Sequence, residues 1–339
     1  MIAEAGVNHN GSEELALQLV EAAAKVGADA VKFQTFTAEQ VVAPGTATAS
    51  YQKTNTGNAD QYEMLKQLEL PVAAYAKLST RARELGIEFM STPFDLDSAD
   101  MLVRMGMKRI KIPSGELTNL PFLESLARIN LPMIVSTGMG TLDEVGEAIT
   151  AMQSARKASG SRPLEGDLTL LHCTSNYPAA EADVNLLAMR TMRSAYGFPV
   201  GYSDHTAGTL ASVAAVAAGA VMVEKHFTLD RGLPGPDHRA SLEPEEFVAM
   251  VAQIRSVESM LGSGDKKPCA AELPIRDLVR RSLTTKRAIA AGAAIAAEDI
   301  VFLRPGTGIP PRDLPRLIGM KAVRDLPAGT TLRWTDVKP

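Results

Sequence analysis

The stretch VGYSDHTAGTLASVAAVAAGAVMVEKHFTL, residues 200–229, decides the fold. Short apolar runs precede His205 and His226, and the alanine-rich segment Thr209–Ala218 between them has the composition of a helix. A strand–helix–strand unit crosses over right-handed, so its two strands lie parallel and end at one edge of the sheet. Two neutral imidazoles meeting at one edge can form an open metal site; the alternative is that one or both are packed core histidines. The stretch therefore predicts a parallel sheet with a candidate metal pair.

The same alternation of strand and helix continues on both sides of this stretch. The predicted strands are Ile2–Ala5, Ala30–Phe33, Glu88–Ser91, Arg109–Pro113, Met133–Ser136, Leu168–Leu171, Val200–Tyr202 and Val221–Glu224. The predicted helices are Leu15–Val26, Pro71–Leu85, Leu96–Met105, Leu120–Ile129, Leu142–Ala158, Asn185–Ala195, Thr209–Ala218 and Pro244–Leu261. This pattern favours an α/β fold, a (β/α)8 TIM barrel. A doubly wound sheet is the alternative, disfavoured because polar residues follow every strand instead of clustering at one switch point. The long polar segment Thr37–Leu70 is expected to be a functional or disordered loop.

The character of the chain changes after the barrel. The expected organisation is a barrel over residues 1–262, a linker over residues 263–281 that opens with GSGDKK, and a small β-rich domain over residues 282–339. The last of these contains a duplication, because IAAGAAIAAEDI (Ile289–Ile300) and LPAGTTLRWTDV (Leu326–Val337) share apolar, Gly and Asp positions at equal spacing. A domain this small is near the lower size limit for folding alone.

The bulk composition excludes several classes of function. The formal net charge of −4 offers no basic surface for nucleic acid. No apolar run approaches the ~20 residues of a membrane helix. Only two cysteines occur, Cys173 and Cys269, so a disulfide framework is not expected. The chain opens directly on a strand-like segment with no secretory signal, and we therefore expect a cytoplasmic protein in a reducing compartment.

Two lysines interrupt apolar runs at the predicted strand ends, which converge on one mouth in a (β/α)8 barrel. Lys32 lies in VKF and Lys111 in IKI, where an unpaired ammonium group is costly. With the hydroxyl groups nearby, the pair indicates a receptor for a small, multiply charged anion such as a phosphorylated carboxylate. The alternative is that a lysine pairs internally with Glu4, Glu116 or Glu224.

Carboxylates and a third lysine complete the candidate chemistry. Glu116 is a candidate general acid or base, and Glu4 competes with it for that role. Asp204 either orients the histidine that follows it or forms a turn. A Schiff-base aldolase with Lys111 or Lys225 as nucleophile is a second enzyme hypothesis. A sugar- or ice-binding module built around the C-terminal tail is the non-enzymatic alternative.

A series of motifs resembles a known family. IAEAGVNHNG, GADAVKFQTF, STPFD, IKIPSGE, VSTGMGT, LHCTSNYP, GYSDHT, EKHFT and GPDH occur in this order. With them the chain resembles the sialic acid synthase family, which includes N-acetylneuraminate synthase. The tail, with RPGTGI at residues 304–309, resembles the antifreeze-like (SAF) domain of those enzymes. The resemblance covers the whole chain and implies a TIM barrel followed by a small β-rich SAF domain.

The resemblance also implies a reaction. Family members condense phosphoenolpyruvate with the open-chain aldehyde of an N-acylated mannosamine-type sugar and water, and they release phosphate. The main expectation is N-acetylneuraminate synthase acting on N-acetylmannosamine. The alternative is legionaminate synthase acting on 2,4-diacetamido-2,4,6-trideoxymannose, and GPDHRAS resembles these two branches more than the pseudaminate branch.

Site residues follow from the same resemblance. His205 and His226 match ligands of Mn²⁺, or of another divalent cation such as Mg²⁺ or Co²⁺. Glu116 matches the catalytic glutamate. Arg304 matches an arginine that closes the active site of the other subunit in a domain-swapped homodimer. The positions that bind phosphoenolpyruvate are matched by Lys32, Thr92, Lys111, Ser114, Ser136 and Ser203, and by Ser175, where some members carry asparagine. The positions that hold the divalent site or the sugar are matched by Glu4, Gln34, Asn58, Tyr177 and Asp237.

Overall fold

Eight parallel strands form the centre of the first of two units, Met1–Gly262 and Ser263–Pro339, in a computed structural model that describes all 339 residues. The strands are β1 (Ile2–Gly6), β2 (Ala30–Thr35), β3 (Glu88–Pro93), β4 (Ile110–Ile112), β5 (Met133–Ser136), β6 (Leu168–Cys173), β7 (Val200–Asp204) and β8 (Val223–His226). Their order is β3-β2-β1-β8-β7-β6-β5-β4, and β3 also lies beside β4. The predicted TIM barrel is therefore confirmed.

Helices surround the strands, and the longer ones bury an apolar face against them. They are α1 (Glu13–Lys25), α2 (Ala38–Val41), α3 (Ser50–Thr56), α4 (Gln61–Leu68), α5 (Val72–Glu84), α6 (Leu96–Arg104), α7 (Leu120–Arg128), α8 (Leu142–Ser159), α9 (Leu187–Tyr196), α10 (Leu210–Ala217) and α11 (Pro244–Leu261). The main apolar core lies between the strands and these helices. None of the helices has both the length and the apolar character that a membrane span requires.

The segment predicted as a loop, Thr37–Leu70, contains three short helices, α2, α3 and α4. The signal for α4 is local, because the side chain of Asp60 accepts hydrogen bonds from the first amides of that helix. Met64 and Leu68 then bury against Val7 in a small apolar cluster. Short helices of this kind depend on tertiary packing and show little periodicity in the sequence.

The inside of the barrel changes in polarity along the strands, because side chains alternate between inside and outside. The inner residues near the start of the strands form an apolar layer: Ile2, Ala30, Met90, Ile134 and Leu171. Two positions further along the same strands stand Glu4, Lys32, Thr92, Ser136 and Cys173. The charged and polar side chains therefore collect at the carboxyl end of the barrel, where TIM barrels place their active sites.

The second unit has its own small core and two antiparallel strand pairs, β9 with β10 and β11 with β12. Its elements are α12 (Glu272–Val279), β9 (Ser282–Thr285), β10 (Ile300–Leu303), α13 (Leu314–Leu317), β11 (Lys321–Ala322) and β12 (Val337–Lys338). Helix α12 lies within the stretch for which the sequence predicts a linker. The side chain of Glu272 accepts a hydrogen bond from the amide of Cys269 at 2.8 Å, which favours a helix start at this point.

Both copies of the duplicated sequence adopt the same local structure. Asp299 and Asp336 each accept a hydrogen bond at 2.9 Å from the backbone amide three residues earlier. The glycine of each copy has a positive φ, 78° in the first and 82° in the second. Ile289 and Leu326, at matching positions, exchange backbone hydrogen bonds of 2.9 and 2.8 Å. The unit is therefore built from two similar halves that pair with each other.

Candidate active site

Two lysines and two glutamates form a buried ionic network inside the barrel. The Nζ of Lys32 lies 2.7 Å from Oε2 of Glu4 and 3.7 Å from Oε2 of Glu224. The Nζ of Lys111 lies 3.5 Å from Oε1 of Glu224. All four side chains are almost completely buried, so each charge needs a partner. Both lysines therefore pair internally, with Glu4 and Glu224 as the partners, and the anion-receptor interpretation stays a prediction.

Hydroxyl and amide groups surround this network. Lys32 donates to Oγ1 of Thr92 at 3.0 Å, and Lys111 donates to Oγ of Ser136 at 2.8 Å. The network also includes Ser203, whose hydroxyl donates to Oε1 of Glu224 at 3.0 Å. Several predicted site residues are thereby brought into one connected cluster. With Gln34, which donates to Oε1 of Glu4 at 3.4 Å, they are Glu4, Lys32, Thr92, Lys111, Ser136 and Ser203.

The pKa values of the two glutamates are shifted in opposite directions. Burial raises the pKa of Glu4 to about 7, although the nearby Lys32 ammonium opposes the shift. Burial would also raise the pKa of Glu224, but Lys111 and Lys32 outweigh it and lower that pKa to about 2. Glu224 is therefore the permanent counter-ion of the two lysines, whereas Glu4 can gain or lose a proton near neutral pH.

The two candidate metal ligands lie close together at the mouth. The ring centroids of His205 and His226 are 5.5 Å apart. Nδ1 of His205 is 2.7 Å from the carbonyl oxygen of Thr174, which fixes the proton there and leaves Nε2 as an acceptor. Nδ1 of His226 is buried without a hydrogen-bond partner and lies 4.0 Å from Oδ2 of Asp237. Burial lowers the pKa of His205 to about 4 and that of His226 well below its usual range, so both rings are neutral.

These donors fit a divalent cation that keeps open coordination positions. No set of three or more His, Cys, Asp or Glu side chains is arranged to hold a metal ion. A cation would therefore have two imidazole ligands from the protein, with water and substrate completing its coordination. The unpaired nitrogen of His226 is the observation that supports this fit, because a buried polar atom without a partner is costly.

Aromatic rings cover the histidine pair. The ring of Tyr177 lies 4.2 Å from that of His205 and meets the ring of His226 edge-on at 5.5 Å. Tyr51, on α3, stacks on Tyr177 at 5.4 Å. The position of Tyr51 was not predicted, because the polar segment that carries it has no pattern that points to the barrel mouth. Burial raises the pKa of the neighbouring Asp237 to about 6.

A second group of predicted residues converges on Gly138, in the turn after β5. The amide of Gly138 donates to Oγ of Ser114 at 3.0 Å, and that hydroxyl lies 3.1 Å from Sγ of Cys173. A Cβ atom at Gly138 would lie only 2.3 Å from Oγ of Ser175, so only glycine allows this approach. Glu116 is in the same 3-10 turn as Ser114, and Asn119 donates to its Oε2 at 2.7 Å.

The comparisons with known proteins agree with this arrangement. A model described as the NeuB family matches residues 19–266, and a model described as the SAF domain matches residues 280–338. The chain belongs to the NeuB family. This confirms the resemblance to sialic acid synthases and the assignment as an enzyme.

Individual relatives support the same placement of this NeuB-family enzyme. It is 53% identical to an N,N′-diacetyllegionaminic acid synthase from Legionella pneumophila, over 100% of this chain and 94% of that one. It is 44% identical to another from Campylobacter jejuni, over 96% of each chain. A crystal structure of an N-acetylneuraminic acid synthetase from Leptospira borgpetersenii aligns with a TM-score of 0.70 at 35% identity, over 81% of this chain and 88% of that one.

Two side chains next to the candidate ligands point away from the mouth of this NeuB-family barrel. The side chain of Asp204 makes no hydrogen bond to His205; it accepts hydrogen bonds from Thr206 and Ser212 and pairs with Lys225 at 3.1 Å. Alternation along the strands explains this, because Asp204 and Lys225 each precede an inward histidine. The interpretation that Asp204 orients His205 directly is therefore wrong, and Lys225 is not placed as a Schiff-base nucleophile.

Glu224, Asn58 and Arg304 lie in different parts of the structure. Glu224 was predicted only as a partner for a lysine, yet it is at the centre of the ionic network. The signal for this was its two-residue spacing from His226, which puts both side chains on one face of β8. Asn58 lines a cavity beside the mouth. Arg304 is exposed in the second unit.

Proposed function

We propose that this protein is an N,N′-diacetyllegionaminate synthase. It would condense phosphoenolpyruvate with 2,4-diacetamido-2,4,6-trideoxymannose and water to give the nine-carbon sugar acid and phosphate. The observation that carries the proposal is the 53% identity over the whole chain to a legionaminic acid synthase. Identity to the N-acetylneuraminic acid synthetase is lower, at 35%. These relatives favour the alternative over N-acetylneuraminate synthase, which was the main expectation from the sequence.

The ionic network supports phosphoenolpyruvate as the common substrate. Lys32 and Lys111 present two ammonium groups inside the barrel, and their only carboxylate partners are Glu4 and Glu224. A dianionic phosphate with its carboxylate would meet charges that are already fixed in place, which avoids the cost of ordering them during binding. Ser114, Ser136 and Ser175 would add hydroxyl donors around the same anion.

His205 and His226 would hold a divalent cation of the Mn²⁺ type. When bound, such a cation supplies Lewis-acid chemistry toward a carbonyl oxygen. The Tyr177 ring over His205 and the Tyr51 ring stacked on it would limit access of water to this side of the mouth.

The protein's own groups would then manage charge and protons. C3 of phosphoenolpyruvate attacks the aldehyde carbon of the sugar, whose oxygen takes up a proton and becomes a hydroxyl group, and a water molecule adds at C2, where positive charge develops. One carboxylate takes the proton of that water, and phosphate leaves when the C–O bond breaks. Glu116 is the proposed base by resemblance, and Glu4 is suited to a proton transfer because its pKa is about 7.

Phosphate release from phosphoenolpyruvate tests this proposal. Purified enzyme is assayed in parallel with 2,4-diacetamido-2,4,6-trideoxymannose and with N-acetylmannosamine, in the presence of Mn²⁺. We expect the diacetamido sugar to give the higher kcat/KM. A higher value with N-acetylmannosamine would instead make the protein an N-acetylneuraminate synthase. Trapping of pyruvate by borohydride on Lys111 would replace both with the Schiff-base aldolase mechanism.

The proposal retains the swapped homodimer implied by the resemblance. In it, Arg304 of one subunit would close the active site of the other. Arg304 is exposed on its own unit, which leaves its guanidinium available for such a contact.

A further inference from the structure

A cavity of about 430 Å³ lies beside the barrel mouth. One wall is α4, which contributes Met64, Gln67 and Leu68. The turn after α3 and the Pro234–Pro236 segment after β8 form the other walls. Neither the ionic network nor the histidine pair contributes a side chain to this cavity, so the reaction chemistry described above does not use it.

The segment Pro236–Asp237 links the cavity to the candidate active site. Pro236, in its wall, directly precedes Asp237, whose Oδ2 lies 4.0 Å from Nδ1 of His226. Asn55, in α3 directly before the turn that lines the cavity, donates to the carbonyl oxygen of Pro236 at 2.8 Å, and Tyr51 of the same helix stacks on the tyrosine over the histidines. The Pro236–Asp237 segment therefore borders both the cavity and the histidine pair.

The cavity lining combines apolar side chains with side-chain amides. Met64 and Leu68 are almost completely buried and present an apolar floor. Asn58 accepts a hydrogen bond from the amide of Asp60 through Oδ1, and its Nδ2 donates to no group in the protein. Gln67 is exposed on the wall and its side chain makes no hydrogen bond in the protein. Free amide donors above an apolar floor suit a group with one carbonyl oxygen and one methyl.

We propose that this cavity receives the distal end of the sugar, with the 4-acetamido group and the C6 methyl group inside it. The acetamido carbonyl would accept from Asn58 or Gln67, while the methyl groups would lie on Met64 and Leu68. The inference rests on the proposed function, because an open-chain sugar with its aldehyde at the histidine pair extends its far carbons past Asp237. N-acetylmannosamine carries hydroxyl groups at both positions and would leave the apolar floor without a partner.

Filling the cavity tests the inference. Gln67→Phe adds bulk from an exposed position on α4, and Pro234→Phe adds it independently from the opposite wall. The matched control is Gln61→Phe, the same substitution on the same helix outside the cavity. kcat/KM is measured for the diacetamido sugar and for N-acetylmannosamine, together with KM for phosphoenolpyruvate and the thermal midpoint of each variant.

Each filling variant is expected to lower kcat/KM for the diacetamido sugar by at least about 10-fold, since mismatches of this size in a pocket change specificity by about 10- to 200-fold. N-acetylmannosamine, phosphoenolpyruvate and the control variant should change by less than about threefold. Equal losses for both sugars, or no loss for either, would overturn the inference. Failure of the wild-type enzyme to use the diacetamido sugar is a different result, and it would overturn the proposed function itself.

Discussion

Replacement of Glu4 by glutamine should change how the stability of the barrel depends on pH. Glu4 has a pKa of about 7 in the folded protein, against 4.5 for an unperturbed glutamate, mainly because it is buried. Between these two values the folded state binds a proton at Glu4 that the unfolded state has already lost. The stability that this proton confers is fully present below pH 4.5 and is lost as the pH rises through 7.

The size of the effect follows from the two pKa values. Each pH unit in the window changes the free energy of unfolding by about 1.4 kcal/mol, so the whole window is worth about 3 kcal/mol. Glu4→Gln removes this dependence and keeps the shape of the side chain. The histidines with lowered pKa values give the opposite slope, but they are common to both proteins and cancel in the difference. Glu224 has its pKa lowered to about 2, so its contribution is lost only below pH 4.5.

Urea unfolding of the metal-free proteins at pH 5, 6, 7 and 8, in chelator, provides the measurement. Circular dichroism should report it, because the single tryptophan, Trp334, lies in the second unit. The variant should gain about 2 kcal/mol relative to wild type between pH 5 and pH 7, and only a few tenths of a kcal/mol more by pH 8. Glu63→Gln, an exposed glutamate without an ionic partner, is the control and should show no such trend. Parallel profiles for wild type and Glu4→Gln would refute the reasoning.

Four further predictions concern catalysis, metal dependence, stability and subunit assembly. Glu116→Gln should lower kcat by about 10²-fold or more while phosphoenolpyruvate still binds, and a wild-type kcat would return the role to Glu4. Chelator should abolish turnover and Mn²⁺ should restore it; a fully active His226→Ala enzyme in chelator would contradict the ligand assignment. Lys225→Met leaves the Asp204 carboxylate buried without its cation and should reduce the free energy of unfolding by about 3–5 kcal/mol; a loss below about 1 kcal/mol would mean that the pair is unimportant. Arg304→Ala and Glu116→Gln subunits should regain activity when mixed and allowed to exchange, unless the tail acts within its own subunit.

The barrel was predictable because its signals are local and repeated. Alternating apolar runs and helical stretches defined all eight strands, and the two histidines lie together as the strand–helix–strand unit required. The lysines were recognised for a physical reason, since a charge inside an apolar run must have a partner. The residue types did not show which carboxylates pair with the two lysines. The structure shows that they are Glu4 and Glu224.

Other features could not be predicted, because they depend on which face of a strand a residue occupies or on packing between distant segments. Asp204 and Lys225 were placed at the mouth from their position after an apolar run, yet one step of alternation turns both outward. The contact of Tyr51 with Tyr177 joins a short helix to a loop more than a hundred residues away. Neither contact has a signature in composition or periodicity.

The paired halves of the second unit resemble the two members of a symmetric dimer. The amide of Leu332 donates to the carbonyl oxygen of Leu283 at 2.9 Å, and the amide of Ile295 donates to that of Met320 at 2.9 Å. These are the same contact made in both directions, because Leu332 corresponds to Ile295 and Met320 to Leu283 under the duplication. Such reciprocity is the mark of a twofold-symmetric dimer interface. A single copy could make these hydrogen bonds only by pairing with an identical chain, so the duplicated sequence places within one chain a contact that would otherwise join two molecules.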